Sequence, residues 1–312
     1  MMTTKSFGNL IILSWLAGLA VACTDSSAPS TDHFELAFTR FDKGAVASDV
    51  YVSRVDGSHA TRLTSDGYGG SPRWSPDGKR IAFVTTISYS GNLSSSTIEL
   101  INADGSGRQT LAGGTDPAWS PDGAQIGFTW YFEAVFPYGG GKATKIYQVY
   151  TIKSDGSNQT QLAPDSAYNY MGSWSPDGNS IVFTRFTPAL GNEEIFVMAA
   201  DGTVASRVRL TENGLRNGHP AWSHSGAKIA FEGWQDPHSA IYTMNPDGSG
   251  QTRLTSGTAD DLCPAWSPDD SRIAFTSNRD GYFQIYLMNA DGSGQVRIKS
   301  DFSDTCPSWK AP

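Results

Sequence analysis

Two cysteines, a histidine and an aspartate occupy the same place in a recurring step of this chain, immediately before a Pro-x-Trp triplet: Cys263, Cys306, His219 and Asp116. Thiolate, imidazole and carboxylate in one set have the donor chemistry of a zinc site. The more ordinary chemistry for the cysteines is a disulfide, because equivalent positions on neighbouring repeats lie close together and, if the protein is exported, the compartment is oxidising. Ser71 and Met171 hold the corresponding place in two further copies of the step. A closed ring of such copies is expected to hold Asp116 far from the cysteines, so His219, Cys263, Cys306 and Asp116 remain weak metal candidates. No catalytic residue and no cofactor is assigned.

The elements that must position these residues are set by a repeat. SPRWSPDGKRIAF, DPAWSPDGAQIGF, MGSWSPDGNSIVF, HPAWSHSGAKIAF and CPAWSPDDSRIAF recur along the chain, and CPSWKAP ends it. The tryptophans Trp74, Trp119, Trp174, Trp222, Trp266 and Trp309 are separated by 45, 55, 48, 44 and 43 residues, the period of one four-stranded propeller blade. Between the copies lies an apolar strand, an Asp-Gly turn and a polar strand, as in AIYTMNPDGSGQTRLT. Ser-Pro-Asp-Gly and Asp-Gly are hairpin turns, in which Pro fixes φ and Gly supplies the left-handed residue. Such a sheet has two apolar faces, so each must stack on its neighbours, with the Trp and Phe filling the space between.

The last copy supplies only a first strand, while Glu35 to Arg40 (ELAFTR) reads as a second strand lacking a Trp strand before it. Together they complete one sheet. The expected fold is therefore all-β, a six-bladed β-propeller over 34–312 whose last blade is closed by strands from both ends of the chain.

The Trp-Ser-Pro-Asp-Gly turn followed by Ile-Ala-Phe and later Ile-Tyr-x-Met-Asn-x-Asp-Gly resembles the TolB-type propeller repeat, over about Phe34 to Trp309. The resemblance implies the fold and not one chemistry. Members with an additional N-terminal α/β domain belong to the periplasmic Tol–Pal envelope system, and this chain is expected to lack that domain. The same repeat also forms the gating propeller of prolyl-oligopeptidase-like enzymes and, in variant form, a metal-dependent pectate-fragment lyase. A lyase of that kind needs several channel histidines, whereas only His219 falls on the ring; His33, His59, His224 and His238 lie elsewhere. A serine hydrolase would need a G-x-S-x-G elbow, and none occurs. The N-x-DGSG turns at Asn102, Asn245 and Asn289 lack the further ligands and closing Glu of a calcium loop.

Residues 1–22 have the form of a lipoprotein signal peptide: Lys5, an apolar run from Leu10 to Val21, then small residues before Cys23, the expected lipidation site. Residues 23–33, rich in Ser, Pro and Thr, are expected to form a disordered tether. This places the protein at the bacterial envelope, periplasmic or on the outer membrane, with membrane contact only through the lipid. The net charge of −8, with no Lys/Arg cluster, argues against a nucleic-acid partner. Many of the acids sit in Asp-Gly turns, where they cap backbone amides.

Two surfaces are candidates for binding. The first is the channel mouth, with Ser71, Asp116, Met171, His219, Cys263 and Cys306. The second is an aromatic insertion in the Trp119 repeat, with Trp130, Tyr131, Phe132, Phe136 and Tyr138, which either forms a contacting loop or extends the strands of its blade. Asp260, Asp261 and Asp304 would add an acidic funnel. The function expected is a non-catalytic binding or scaffolding propeller for an envelope protein, peptide or glycan. The alternative is a metal-dependent lyase or hydrolase working in the channel.

Overall fold

The computed structural model describes residues 34–42, 47–89, 93–135, 143–162, 164–187, 189, 191–235 and 237–311, with the side chains of 87–89, 93–94, 132–135 and 143–144 left aside. The signal peptide, Cys23, the tether, Phe136 and Tyr138 lie outside the described residues, and so does the side chain of Phe132.

Each sequence repeat becomes one antiparallel four-stranded sheet. Blade 1 is Gly69–Trp74, Arg80–Tyr89, Leu93–Asn102 and Gln109–Gly113. Blade 2 is Thr115–Trp119, Gln125–Val135, Ala143–Lys153 and Thr160–Gln161. Blade 3 is Tyr168–Trp174, Ser180–Phe186, Glu193–Ala199 and Val208–Arg209. Blade 4 is Arg216–Trp222, Ile229–Gln235, His238–Met244 and Thr252–Arg253. Blade 5 is Asp261–Trp266, Arg272–Ser277, Gln284–Asn289 and Val296–Arg297. Blade 6 joins the two ends of the chain: Ser303–Trp309 pairs with Glu35–Phe41, which is followed by Ser48–Arg54 and Thr61–Arg62. Six blades closed by a shared sheet are thus present.

The apolar residues explain why the blades stack. Each of the six interfaces between neighbouring blades holds its own core cluster, such as Ala37 and Val50 of blade 6 against Trp74, Ile81 and Phe83 of blade 1. Phe83, Phe128, Phe183, Phe231 and Phe275 are all at most 1% exposed. Burying a side chain of that size is worth about 1.5–3 kcal/mol. The polar residues of the repeat have equally local duties. Ser75 donates to Asp77 and accepts the amide of Arg80, which fixes the Ser-Pro-Asp-Gly hairpin, and Gly78 takes the positive φ of 64° that closes it. The Leu-Thr ending of the outer strand recurs because Thr64, Thr211 and Thr255 accept the amides of Val50, Ile195 and Ile241 on the strand beside them.

Blade 4 breaks the turn consensus with His224 and Ser225, and blade 5 repairs it. Asp270, which stands where other blades have Gly, holds a φ of 57° and accepts the amides of His224 and Ser225 at 2.7 Å each.

Candidate functional site

The inner strands all run in one direction, so their starts surround one mouth of the channel and their Ser-Pro-Asp-Gly turns the other. Proline has no amide hydrogen and cannot continue a ladder. Every inner strand accordingly shifts register at the Pro-x-Trp step, or at Met171-Gly172 in blade 3. At that bulge Ser71, Asp116, His219, Cys263 and Cys306 all adopt positive φ, between 46° and 54°. A left-handed conformation costs an L-residue roughly 1–2 kcal/mol, so five such residues in one ring hold appreciable strain. The bulged amides are capped by the preceding blade: Thr39, Thr129 and Thr276 accept from Ser71, Met171 and Cys306.

The six expected ring residues therefore come from one layer of the propeller, but they do different things. Cys263 and Cys306, on the inner strands of blades 5 and 6, are joined as a disulfide with Cα atoms 5.1 Å apart. Met171 is buried and packs on Gly127, where even an added Cβ would touch its thioether. His219 leans on Glu232, Nδ1 to carboxylate 3.1 Å. The Glu232 charge pushes the histidine up to about 9 against the opposing effect of burial. Burial disfavours ionised Glu232, yet His219 and the donated amide of Cys263 hold its carboxyl below the usual range. The weak metal set is thereby reduced: its thiols are spent on each other, while its imidazole has Nδ1 on Glu232. Among the described residues no group of three or more His, Cys, Asp or Glu has metal-binding geometry.

A cavity of about 440 Å³ opens on the turn side of the ring, walled by the six tryptophans and by prolines of the repeat. A second, of about 380 Å³, opens on the opposite side and contains Tyr170, Glu193, Arg216, Glu232 and Trp234. Asp116, Met171, His219 and Cys263 line both, so the ring layer forms the waist of the channel. Arg73 reaches into the first cavity from a position that is Ala118, Ser173, Ala221, Ala265 and Ser308 in the other blades.

The aromatic insertion extends the hairpin Gln125–Val135/Ala143–Lys153, so Trp130 and Tyr131 are strand residues. Trp130 lies over Gly113 and stacks on Tyr131, while Lys145 sits 4.1 Å above the Tyr131 ring. Tyr131 continues to Tyr147 at 5.8 Å, and Tyr147 stacks on Tyr170 at 5.5 Å. Tyr170 lines the second cavity, and burial pushes its hydroxyl up to about 12. An aromatic path thus connects the insertion to the channel mouth. Beside it, Tyr282, Phe283 and Phe41 line a third cavity that includes the disulfide.

The acidic funnel does not form. Asp304 is bound by Arg40 through two hydrogen bonds, Asp261 by Arg279, and Asp260 lies against Asn278 and His238. Each acid is paired with a residue at least 18 positions away in sequence, which its own neighbourhood does not announce. Glu232, Arg73, Arg216 and Tyr170 were not anticipated either. The available signal was register: Glu232 stands where aligned repeats carry Thr39, Thr129, Thr184 and Thr276, and Arg73 stands among small residues.

Fold and site together define a closed six-bladed propeller with a charged waist between two channel mouths. The chain belongs to the TolB beta propeller domain family, whose model matches residues 135–311. It is similar to TolB from Acinetobacter baumannii, at 20% identity and a TM-score of 0.74, over 92% of this chain and 69% of that one. It is also similar to a putative TolB from Agrobacterium tumefaciens, at 20% identity and 0.63, over 87% and 91% of the two chains. An oligogalacturonate lyase in complex with manganese aligns at 13% identity and 0.55, over 80% and 70%. At these identities the solved structures speak for the fold alone.

Proposed function

We propose that the protein is an exported envelope propeller, held at a membrane through lipid on Cys23, that binds a protein or peptide partner and performs no chemistry of its own. Its family and the aromatic path support this. The observation that carries the proposal is that Tyr131, Tyr147 and Tyr170 lead stepwise from the insertion into a cavity ending at His219. Contiguous aromatic surface beside a polar, partly charged pocket is the composition of a recognition site. A metal-dependent reaction at the waist is less well supported, since the two thiols are joined to each other.

The test is photo-crosslinking in the cells that produce the protein, with the label placed at Tyr147 or Tyr282 and, as a control, at Val208 on an outer strand. The expected result is one discrete envelope protein captured from the first two sites and not from the third. Equal capture from all three, or none, overturns the proposal. Stoichiometric manganese or zinc in the purified protein overturns its non-catalytic part. Cys23→Ser is expected to move the protein from the membrane to the soluble fraction.

A further inference from the structure

Arg73 is the one long side chain that the Pro-x-Trp position contributes to the channel; the other five blades contribute alanine or serine. Among the described residues its guanidinium makes no ion pair, and its hydrogen bond runs to the carbonyl of its own neighbour, Pro72. Burial disfavours its charge and only the through-space pull of Asp116 offsets that; two parallel hydrogen bonds to a carboxylate would relieve more of the cost. Arg73, Asp116 and His219 all line the same cavity of about 440 Å³. The His219 side chain is 55% exposed toward the channel while its Nδ1 is held by Glu232.

Asp116 completes the set. Its carboxylate accepts from the Thr115 hydroxyl and is otherwise available as an acceptor. The walls on the turn side are mostly Pro, Ala and Trp, with Ser75, Ser173, Ser223, Ser308 and His224 among them. Two cations beside one acceptor, within mostly apolar walls, suit a ligand that presents a carboxylate and an amide N–H on the same residue.

We propose that the channel waist binds the C-terminal residue of a peptide, with Arg73 and His219 receiving the terminal carboxylate and Asp116 accepting the last amide N–H. This rests on the protein- or peptide-binding function above and names the part of the partner that enters the ring.

The test uses the full chain and an array of tetrapeptides, each synthesised with a free and with an amidated C-terminus. The tightest free acid is then titrated by calorimetry against its amide, against decanoate and against galacturonate. The free acid is expected to bind tighter than its amide by about tenfold or more, and Arg73→Ala to abolish that difference. Arg73→Ala gives the residue three other blades already use, so the ring is expected to fold, and circular dichroism checks it. Arg73→Lys is expected to restore part of the preference. No binding by any peptide, equal binding of acid and amide, an unaltered preference in Arg73→Ala, or equal binding of decanoate or galacturonate each overturns the proposal. Successful crosslinking from Tyr147 alongside such a failure would leave partner binding standing and remove only the carboxylate.

Discussion

Glu232 and His219 face each other at the inner lip of blade 4, 3.1 Å apart, where four other blades carry only a threonine. Folding raises the proton affinity of His219, so its contribution to stability is complete below the ordinary histidine value of 6.5 and is lost as pH rises through about 9. Glu232 is held below its ordinary 4.5, so its contribution is present above that value and is lost as acid protonates it. Thermal midpoints are expected to be highest between about pH 4.5 and 6.5 and to fall as pH rises from 6.5 through about 9, the alkaline limb belonging to His219 and the acid limb to Glu232. Glu232→Gln should remove the alkaline fall and return His219 to the ordinary range in an NMR titration. A wild-type His219 titrating near 6.5 would contradict the pairing.

The disulfide ties the closing strand to blade 5 across 43 residues of sequence. Cys306→Ser is expected to cost about 2–4 kcal/mol in denaturant unfolding, chiefly by freeing the unfolded chain. Intact-mass analysis of the native protein before and after reduction should differ by two hydrogens.

The phenylalanine ring sets the packing. Phe231→Ala, at a site with no solvent access, should cost about 3–5 kcal/mol, whereas Val296→Ala on an exposed outer strand should stay within about 0.5 kcal/mol. Urea unfolding of both variants gives the comparison.

Asp270 pairs a strained backbone with two caps. Asp270→Gly relieves the positive φ, worth about 1 kcal/mol, but removes a charged acceptor from two amides, worth more. A net loss of about 1 kcal/mol is expected, and Asp270→Ala, which keeps the strain and loses the caps, should lose more. Thermal unfolding of the two side by side orders them.

The architecture was legible because it is periodic: six tryptophans at blade spacing, and an unpaired ELAFTR that could only be completed by CPSW. The site was legible only as positions. Ser71, Asp116, His219, Cys263 and Cys306 do share one layer, but nothing local to His219 indicates Glu232, which lies on the adjacent strand. Arg73 was hidden for a related reason, since an arginine between Pro and Trp is unremarkable until the six copies are superposed and the others prove small. Asp304 looked like free acidity because its partner Arg40 is 264 residues away. Tyr147, Tyr168 and Tyr170 read as ordinary strand aromatics, and their stacking depends on two blades meeting.

Because Ser303–Trp309 must reach back to Glu35–Phe41, the toroid cannot be sealed until all the strands between them have been made. Until then blade 6 lacks its innermost strand, Leu36 and Phe38 have no Trp309 to cover them, and Cys263 has no partner. A chain in that condition is an open ring. Sealing brings the two sulfurs together, so the redox state of this one bond would report whether a molecule had completed its ring.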